Sequence, residues 1–126
     1  LALAAAVLLI AGVGAAVVLG RDAPGERTVT LSAVTANPLH AAVSLTPEAW
    51  GTEVAMTCTY GGEYGGRQAY ALYVVDAAGH RQLVSRWEAG PGDTARTTGA
   101  TDLTPGEIAR VELRAGDGRL LLAHAL

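Results

Sequence analysis

The sequence predicts an all-β domain, a small antiparallel β-sandwich of about seven or eight strands, carried behind a single transmembrane helix. Three observations lead there. Residues 1–20, LALAAAVLLIAGVGAAVVLG, hold no charge, no proline and no side-chain hydrogen-bonding group. After residue 27 no stretch repeats its apolar residues with the helical period, and apolar and polar residues alternate instead. Turn signals built from Gly, Pro, Asn and Asp then recur about every ten residues.

A helix made of residues 1–20 would run about 30 Å at roughly 1.5 Å per residue, the thickness of a bilayer's hydrocarbon core, and would satisfy its own backbone there. A cleaved signal peptide is the other reading, because Gly14, Ala15 and Ala16 are small enough for a cleavage site. Against it, the apolar run continues through Val17, Val18 and Leu19 and outlasts the usual signal core. Gly12 with Ala16, and Ala11 with Ala15, have the spacing that lets two helices approach closely, although so Ala-rich a segment matches that pattern easily. The chain opens on Leu with no charged flank before the apolar run, so further sequence upstream is expected. Residues 21–27, RDAPGER, read as a polar juxtamembrane linker, and residues 28–126 as the sandwich.

In the sandwich, Val29, Leu31 and Ala33 alternate with Thr28, Thr30 and Ser32, the pattern of a half-buried strand. Asn37-Pro38 turns the chain, and Leu39, Ala41, Val43 and Leu45 form the inner face of a second strand that stops before Pro47. Across residues 50–60, Trp50, Thr52, Val54, Met56, Cys58 and Tyr60 share the more apolar face, which makes Cys58 a small buried hydrophobe. As the only cysteine it can close no internal disulfide and build no Cys-based metal site. GGEYGGR at 61–67 follows. A phosphate cradle there would need a helix after it and usually a Lys, but a strand follows and the chain has no Lys, so the loop is expected to close a hairpin.

Residues 69–76, AYALYVVD, are apolar on both faces, as in a central strand covered on both sides. The turn at 76–79 returns the chain through residues 80–88, where Leu83, Ser85 and Trp87 share one face and Gln82, Val84, Arg86 and Glu88 the other. This hairpin is expected at the centre of the domain. Gly90-Pro91-Gly92-Asp93 turns again, and the Thr-rich residues 94–101 have the low apolar content of an edge strand. After Thr104-Pro105-Gly106-Glu107, Ala109, Val111 and Leu113 oppose Arg110, Glu112 and Arg114, whose face is expected to be a solvated strand surface. Ala115-Gly116-Asp117-Gly118 leads to a last strand in which Leu120 and Leu122 alternate with Leu121 and Ala123.

Chemistry is sparse. The net charge is −3, from 9 basic and 12 acidic side chains, and the basic ones are all Arg. They are scattered along the chain, which leaves no footprint for nucleic acid. His40, His80 and His124 lie in or beside three different strands without metal-ligand spacing. Ser32, Ser44 and Ser85 sit inside strands, none of them on a nucleophile turn. Asp76, Glu88, Asp93, Asp102, Glu107, Glu112 and Asp117 fall mostly in turns or at strand ends, where they are expected as turn formers and solvated charges. No catalytic residue, metal ligand or cofactor is assigned, and an enzyme is not expected. Among the aromatics, Trp50, Trp87, Tyr70 and Tyr73 are expected in the core. Tyr64, in the glycine-rich loop, is the one candidate for an exposed contact.

The order of these features resembles the membrane and extracytoplasmic part of a bacterial anti-sigma factor of the anti-sigma-K type. The apolar span is followed by RTVTLSAV, WGTEVAMTCTY, YALYVVDAAGHRQLVSRWEA and IARVELRAGDGRLLLAHAL. The Y-x-L-x-V-V-D-A-x-G strand and turn at 70–79 with Trp87 beyond it, and V-E-L-R-x-x-D-G at 111–118, carry most of the likeness through loose motifs. The resemblance implies negative regulation of transcription across a membrane. An N-terminal cytoplasmic domain, often zinc-binding, would hold an extracytoplasmic-function sigma factor away from RNA polymerase. The outer β domain would be tied to it through the span, and site-specific membrane proteases would govern its release. None of these residues carries a His/Cys zinc signature, so the sigma-binding domain is expected outside them. The alternative expectation is a membrane-anchored or secreted β-sandwich binding module at the cell surface with no transcriptional role.

Overall fold

Each alternating stretch becomes a strand. The computed structural model describes residues 25–62 and 66–126; the apolar segment 1–20, the linker residues before Gly25 and Tyr64 lie outside the described residues. The strands are β1 (Arg27–Thr30), β2 (Ser32–Ala33), β3 (Leu39–Glu48), β4 (Gly51–Tyr60), β5 (Gln68–Asp76), β6 (Arg81–Ala89), β7 (Thr94–Thr101), β8 (Ile108–Ala115) and β9 (Leu120–Ala125). Among the described residues the one helical turn is the 3-10 segment Pro105–Glu107, and no helix is long and apolar enough to cross a membrane. A four-stranded sheet has the order β1-β3-β4-β7 and a five-stranded sheet the order β2-β9-β8-β5-β6, with every pairing antiparallel.

The core lies between the two sheets. In the four-stranded sheet the register never slips: β3 pairs with β4 from Leu39↔Tyr60 to Glu48↔Gly51, and β4 pairs with β7 from Thr52↔Thr101 to Thr59↔Thr94. Alternation therefore holds to the end, and Val43, Leu45, Val54, Met56 and Cys58 are buried as predicted. Fully burying a Val, Leu or Met side chain stabilises a domain by about 1.5–3 kcal/mol. Thr-rich β7 takes the edge position expected of it.

Three connections differ from expectation. The first predicted strand divides: β1 pairs with β3, while β2 pairs with β9 in the opposite sheet. Leu31 makes the crossing, buried and with its N–H donated to Ala41 O at 3.0 Å. The glycine-rich loop closes no hairpin, because β4 and β5 belong to different sheets. Trp50 is not core; it is 54 % exposed, in the two-residue tip Ala49-Trp50 of the β3–β4 hairpin. The strand begins one residue later, at Gly51, whose φ of 145° suits glycine and whose missing Cβ would stand 2.1 Å from Thr101 O.

The five-stranded sheet carries three bulges. Val84 is the extra residue of β6 against β5, Ala109 of β8 against β5, and Leu121 of β9 against β8. Each bulge reverses the alternation on one side of it. Leu83 leaves the face of Ser85 and Trp87 and pairs with Tyr73 on the outer surface, 47 % exposed. Ile108 replaces Ala109 in the core, and Leu121 joins Leu122 inside. Of the expected central hairpin only β5 is interior to the sheet; β6 is its edge.

On the outer face of this sheet β5 presents Ala71, Tyr73 and Val75. Arg86 and Arg114 flank Ala71, Leu83 and Glu112 flank Tyr73, and Arg81 and Arg110 flank Val75. Ala71 and Val75 are buried, as a doubly covered strand requires, and among the described residues their cover is a charged layer. Folding thus gathers four arginines that are scattered in the sequence. The expected solvated surface is also overturned at Glu112, which is 0 % exposed. Arg110 Nε donates to its Oε2 and Arg114 Nε to its Oε1, each at 2.8 Å. Burial alone would push that carboxyl up, but the two guanidinium partners outweigh burial and hold it below the usual carboxylate range.

Candidate functional site

Registers sort the loops between two ends of the sandwich. Arg27 pairs with Leu45 near the β3–β4 hairpin tip, Thr101 with Thr52, Ile108 with Asp76, and Ala125 with Arg110. One end therefore holds the start of β1, Trp50, the 76–80 turn, the 102–107 connection and Leu126. The opposite end gathers residues 34–38, the end of β4, the start of β5, the 90–93 turn and the 115–119 turn. There the structure contains a cavity of about 420 Å³, bounded by Asn37, Pro38, Leu39, Tyr60, Tyr70, Gln68, Arg119, Leu121 and several glycines. That volume falls within the range of small-molecule sites.

Its walls are held by local chemistry. Asn37 Oδ1 accepts the Leu39 N–H at 3.0 Å, while Asn37 Nδ2 donates to Thr35 O at 2.6 Å and to Leu121 O at 3.1 Å. Val34 N also donates to Leu121 O, at 2.9 Å. The β9 bulge thus turns one carbonyl outward to fasten the 34–38 segment. Across the cavity, Gly61 N donates to Pro38 O at 3.0 Å and Gly92 N to Tyr60 O at 2.6 Å. Gly90 N donates to Asp93 Oδ2 at 2.8 Å, and Arg67 lies 3.5 Å from Asp93 and 3.8 Å from Glu88.

An aromatic group backs the cavity. Tyr60 and Tyr70 have ring centroids 5.0 Å apart, and Tyr70 stacks on Trp87 at 6.2 Å. Trp87 Nε1 donates to the Tyr60 hydroxyl oxygen. Burial pushes the Cys58 thiol and both phenols up, so all three stay neutral at physiological pH. A neutral buried thiol is a poor nucleophile. Tyr70 is only 8 % exposed, and its hydroxyl has no hydrogen-bond partner among the described residues. These groups can bind and orient a ligand.

The residues singled out from sequence are dispersed. Tyr64 lies outside the described residues, although Gly62 and Gly66 on either side of it line the cavity. His40 is exposed on β3, His124 is half-buried on β9, and His80 Nδ1 sits 3.2 Å from Asp76 Oδ2 in the opposite-end turn. Among the described residues no group of three or more His, Cys, Asp or Glu is placed to hold a metal ion. Ser44 and Ser85 hydrogen-bond Thr28 and Thr97. Asp76 and Asp117 form turns, accepting the backbone N–H groups of Ala78, His80 and Arg119. The His80 contacts, the backbone one foremost, keep the Asp76 carboxyl below its ordinary value. Tyr73 is half-buried on the outer face with Arg81 5.8 Å from its ring centre, not in the core. Trp87 packs partly buried against the core. Arg119 and Gln68, two polar residues of the cavity, carry no local sequence signal, because the turn and strand end that present them meet only through the fold. Compared with models of known protein families, with characterised proteins and with solved structures, the chain matches none.

Proposed function

We propose that this chain is the membrane anchor and extracytoplasmic sensory domain of an anti-sigma factor of the anti-sigma-K type, restraining transcription by an extracytoplasmic-function sigma factor and acting by binding, not as an enzyme. The observation that carries the reading is the opposition of the two ends of the sandwich. Arg27, where the chain arrives from the apolar segment, and exposed Trp50 share one end; the cavity opens at the other. With residues 1–20 in a bilayer as a helix, Trp50 would stand at headgroup height, where tryptophan is favoured, and the cavity would face away from the membrane. Residues 21–26 then form the stretch open to membrane-associated site-specific proteases.

Trypsin added to intact spheroplasts should cut at Arg21 and release the sandwich as a soluble fragment. Retention of the uncut chain until lysis would sink the anchored extracytoplasmic arrangement. A second reading draws on the same cavity: a membrane-anchored or secreted surface binding module with no transcriptional role. Deleting codons 28–126 from the gene separates the two. Altered transcription of one sigma-dependent gene set supports the regulatory reading, and an unchanged transcriptome supports the binding module.

A further inference from the structure

Among its described lining residues the cavity carries one formal charge. That charge is Arg119, in a chain whose net charge is −3. Its backbone N–H is taken by Asp117 Oδ1 at 3.0 Å, but no hydrogen bond or ion pair among the described residues engages its guanidinium. Arg67 is paired with Glu88 and Asp93, and Arg110 and Arg114 with Glu112; among the described residues Arg27, Arg86 and Arg96 are unpaired like Arg119, but only Arg119 lines the cavity. Near Arg119 lies the Tyr70 hydroxyl, which has no protein partner among the described residues and is open to solvent at the cavity. Burial pushes that phenol up and Cys58 adds to the effect, while the Arg119 guanidinium alone acts against them, so the two groups act on one space.

The remaining wall is apolar, formed by Leu39, the Tyr60 ring and Leu121. A phosphate would need several converging free amides, and four amides around the cavity are already donated within the protein. Gly61 N is donated to Pro38 O, Gly92 N to Tyr60 O, Gly116 N to Ala69 O and Gly90 N to Asp93 Oδ2. We infer that the cavity binds a small organic carboxylate with an apolar body, its carboxylate held by Arg119 and the Tyr70 hydroxyl and its body against Leu39, Tyr60 and Leu121. A charge-assisted hydrogen bond from a guanidinium is the strong contact available to such an anion. This gives the sensory reading a ligand class and rests on it for biological meaning only, since binding is measured without reference to topology or transcription.

The test is calorimetric titration of the full chain in lipid nanodiscs, with empty nanodiscs as blank. The probes are 3-phenylpropionate, its primary amide, N-acetyl-Ala-Phe with a free C-terminal carboxylate, and inorganic phosphate. Saturable binding of the carboxylates is expected, with the amide weaker by about tenfold or more and phosphate not competing. The tighter of the two carboxylates identifies the source as a free acid or a peptide C-terminus. Exposed Arg119→Gln should weaken binding by about tenfold, and Tyr70→Phe by about fivefold, both with unchanged urea midpoints. Equal binding of acid and amide, full affinity in Arg119→Gln, competition by phosphate, or no saturable binding of either carboxylate would each overturn the assignment. Trypsin release from spheroplasts with no carboxylate binding would leave the anchored reading standing and remove this one.

Discussion

The four-stranded sheet is paired without a slip, whereas the five-stranded sheet bulges three times, at Val84, Ala109 and Leu121. Their compositions do not explain this, since both alternate Val, Leu and Ala with polar residues. The difference lies in what each sheet has to reach. β6 lies against edge strand β7 through Ser85–Thr97 and Gln82–Thr101 hydrogen bonds, and the Leu121 bulge supplies the carbonyl that holds the cavity wall. A bulge aims one group at a neighbour by giving up strict alternation.

The comparison can be broken most sharply at Gly99 of β7. A Cβ there would stand 2.3 Å from Val84 O and 2.6 Å from Val84 Cγ1, so bulge and glycine fit each other. Gly99→Ala should cost about 4 kcal/mol or prevent folding, measured by urea denaturation. A loss below about 1 kcal/mol would mean that β6 and β7 are not closely apposed. Next is Ile108→Ala, at about 3 kcal/mol, a core-sized loss at a residue outside the simple alternation of β8.

Glu112→Gln should cost about 2 kcal/mol, less than for a fully enclosed ion pair because Arg110 is half exposed. Its carboxyl is held low in the folded state, so the contribution is fully present above the ordinary carboxylate range and disappears as pH falls through the lowered folded value. Denaturation at stepped acidic pH should accordingly be less steep in the variant than in the parent. At the small end, Leu83→Lys should change stability by less than about 0.5 kcal/mol, because the bulge turns Leu83 to solvent. A cost near about 3 kcal/mol would instead restore the unbulged alternation. Trp50→Ala should be equally neutral in urea, and under the proposed anchoring it should remove most quenching of tryptophan fluorescence by brominated lipid, leaving Trp87 unquenched.

The same contrast sets how far the molecule can be read from its residues. Two-residue periodicity located the strands and, in the regular sheet, the buried face of each, Cys58 included. It could not locate Val84, Ala109 or Leu121, because a bulge arises from long-range demands that leave no local mark. Trp50 departs from the pattern for a smaller reason: the apolar alternation runs on past Gly51 into the turn. Little of the cavity was visible. Tyr70 reads as a core aromatic, which it is by burial, and its unpartnered hydroxyl emerges only when the Arg119 turn is brought beside it. Glu112 looked solvated since its two arginine neighbours, at i−2 and i+2 on the same strand face, read equally well as exposed charges.

The crossing at Leu31 has a mechanical consequence. Residues 27–37 run from the end where the chain arrives, along β1, through the core and into the Asn37 wall of the cavity, without leaving one short piece of backbone. Tension between the N-terminal side and a molecule gripped at the far end would act along β1 and load its bonds to β3 in shear. Slack in that path would reach the cavity wall before it disturbed the β3–β4 pairing beneath. If the cavity is occupied and the N-terminal side is anchored, the same eleven residues would link the two.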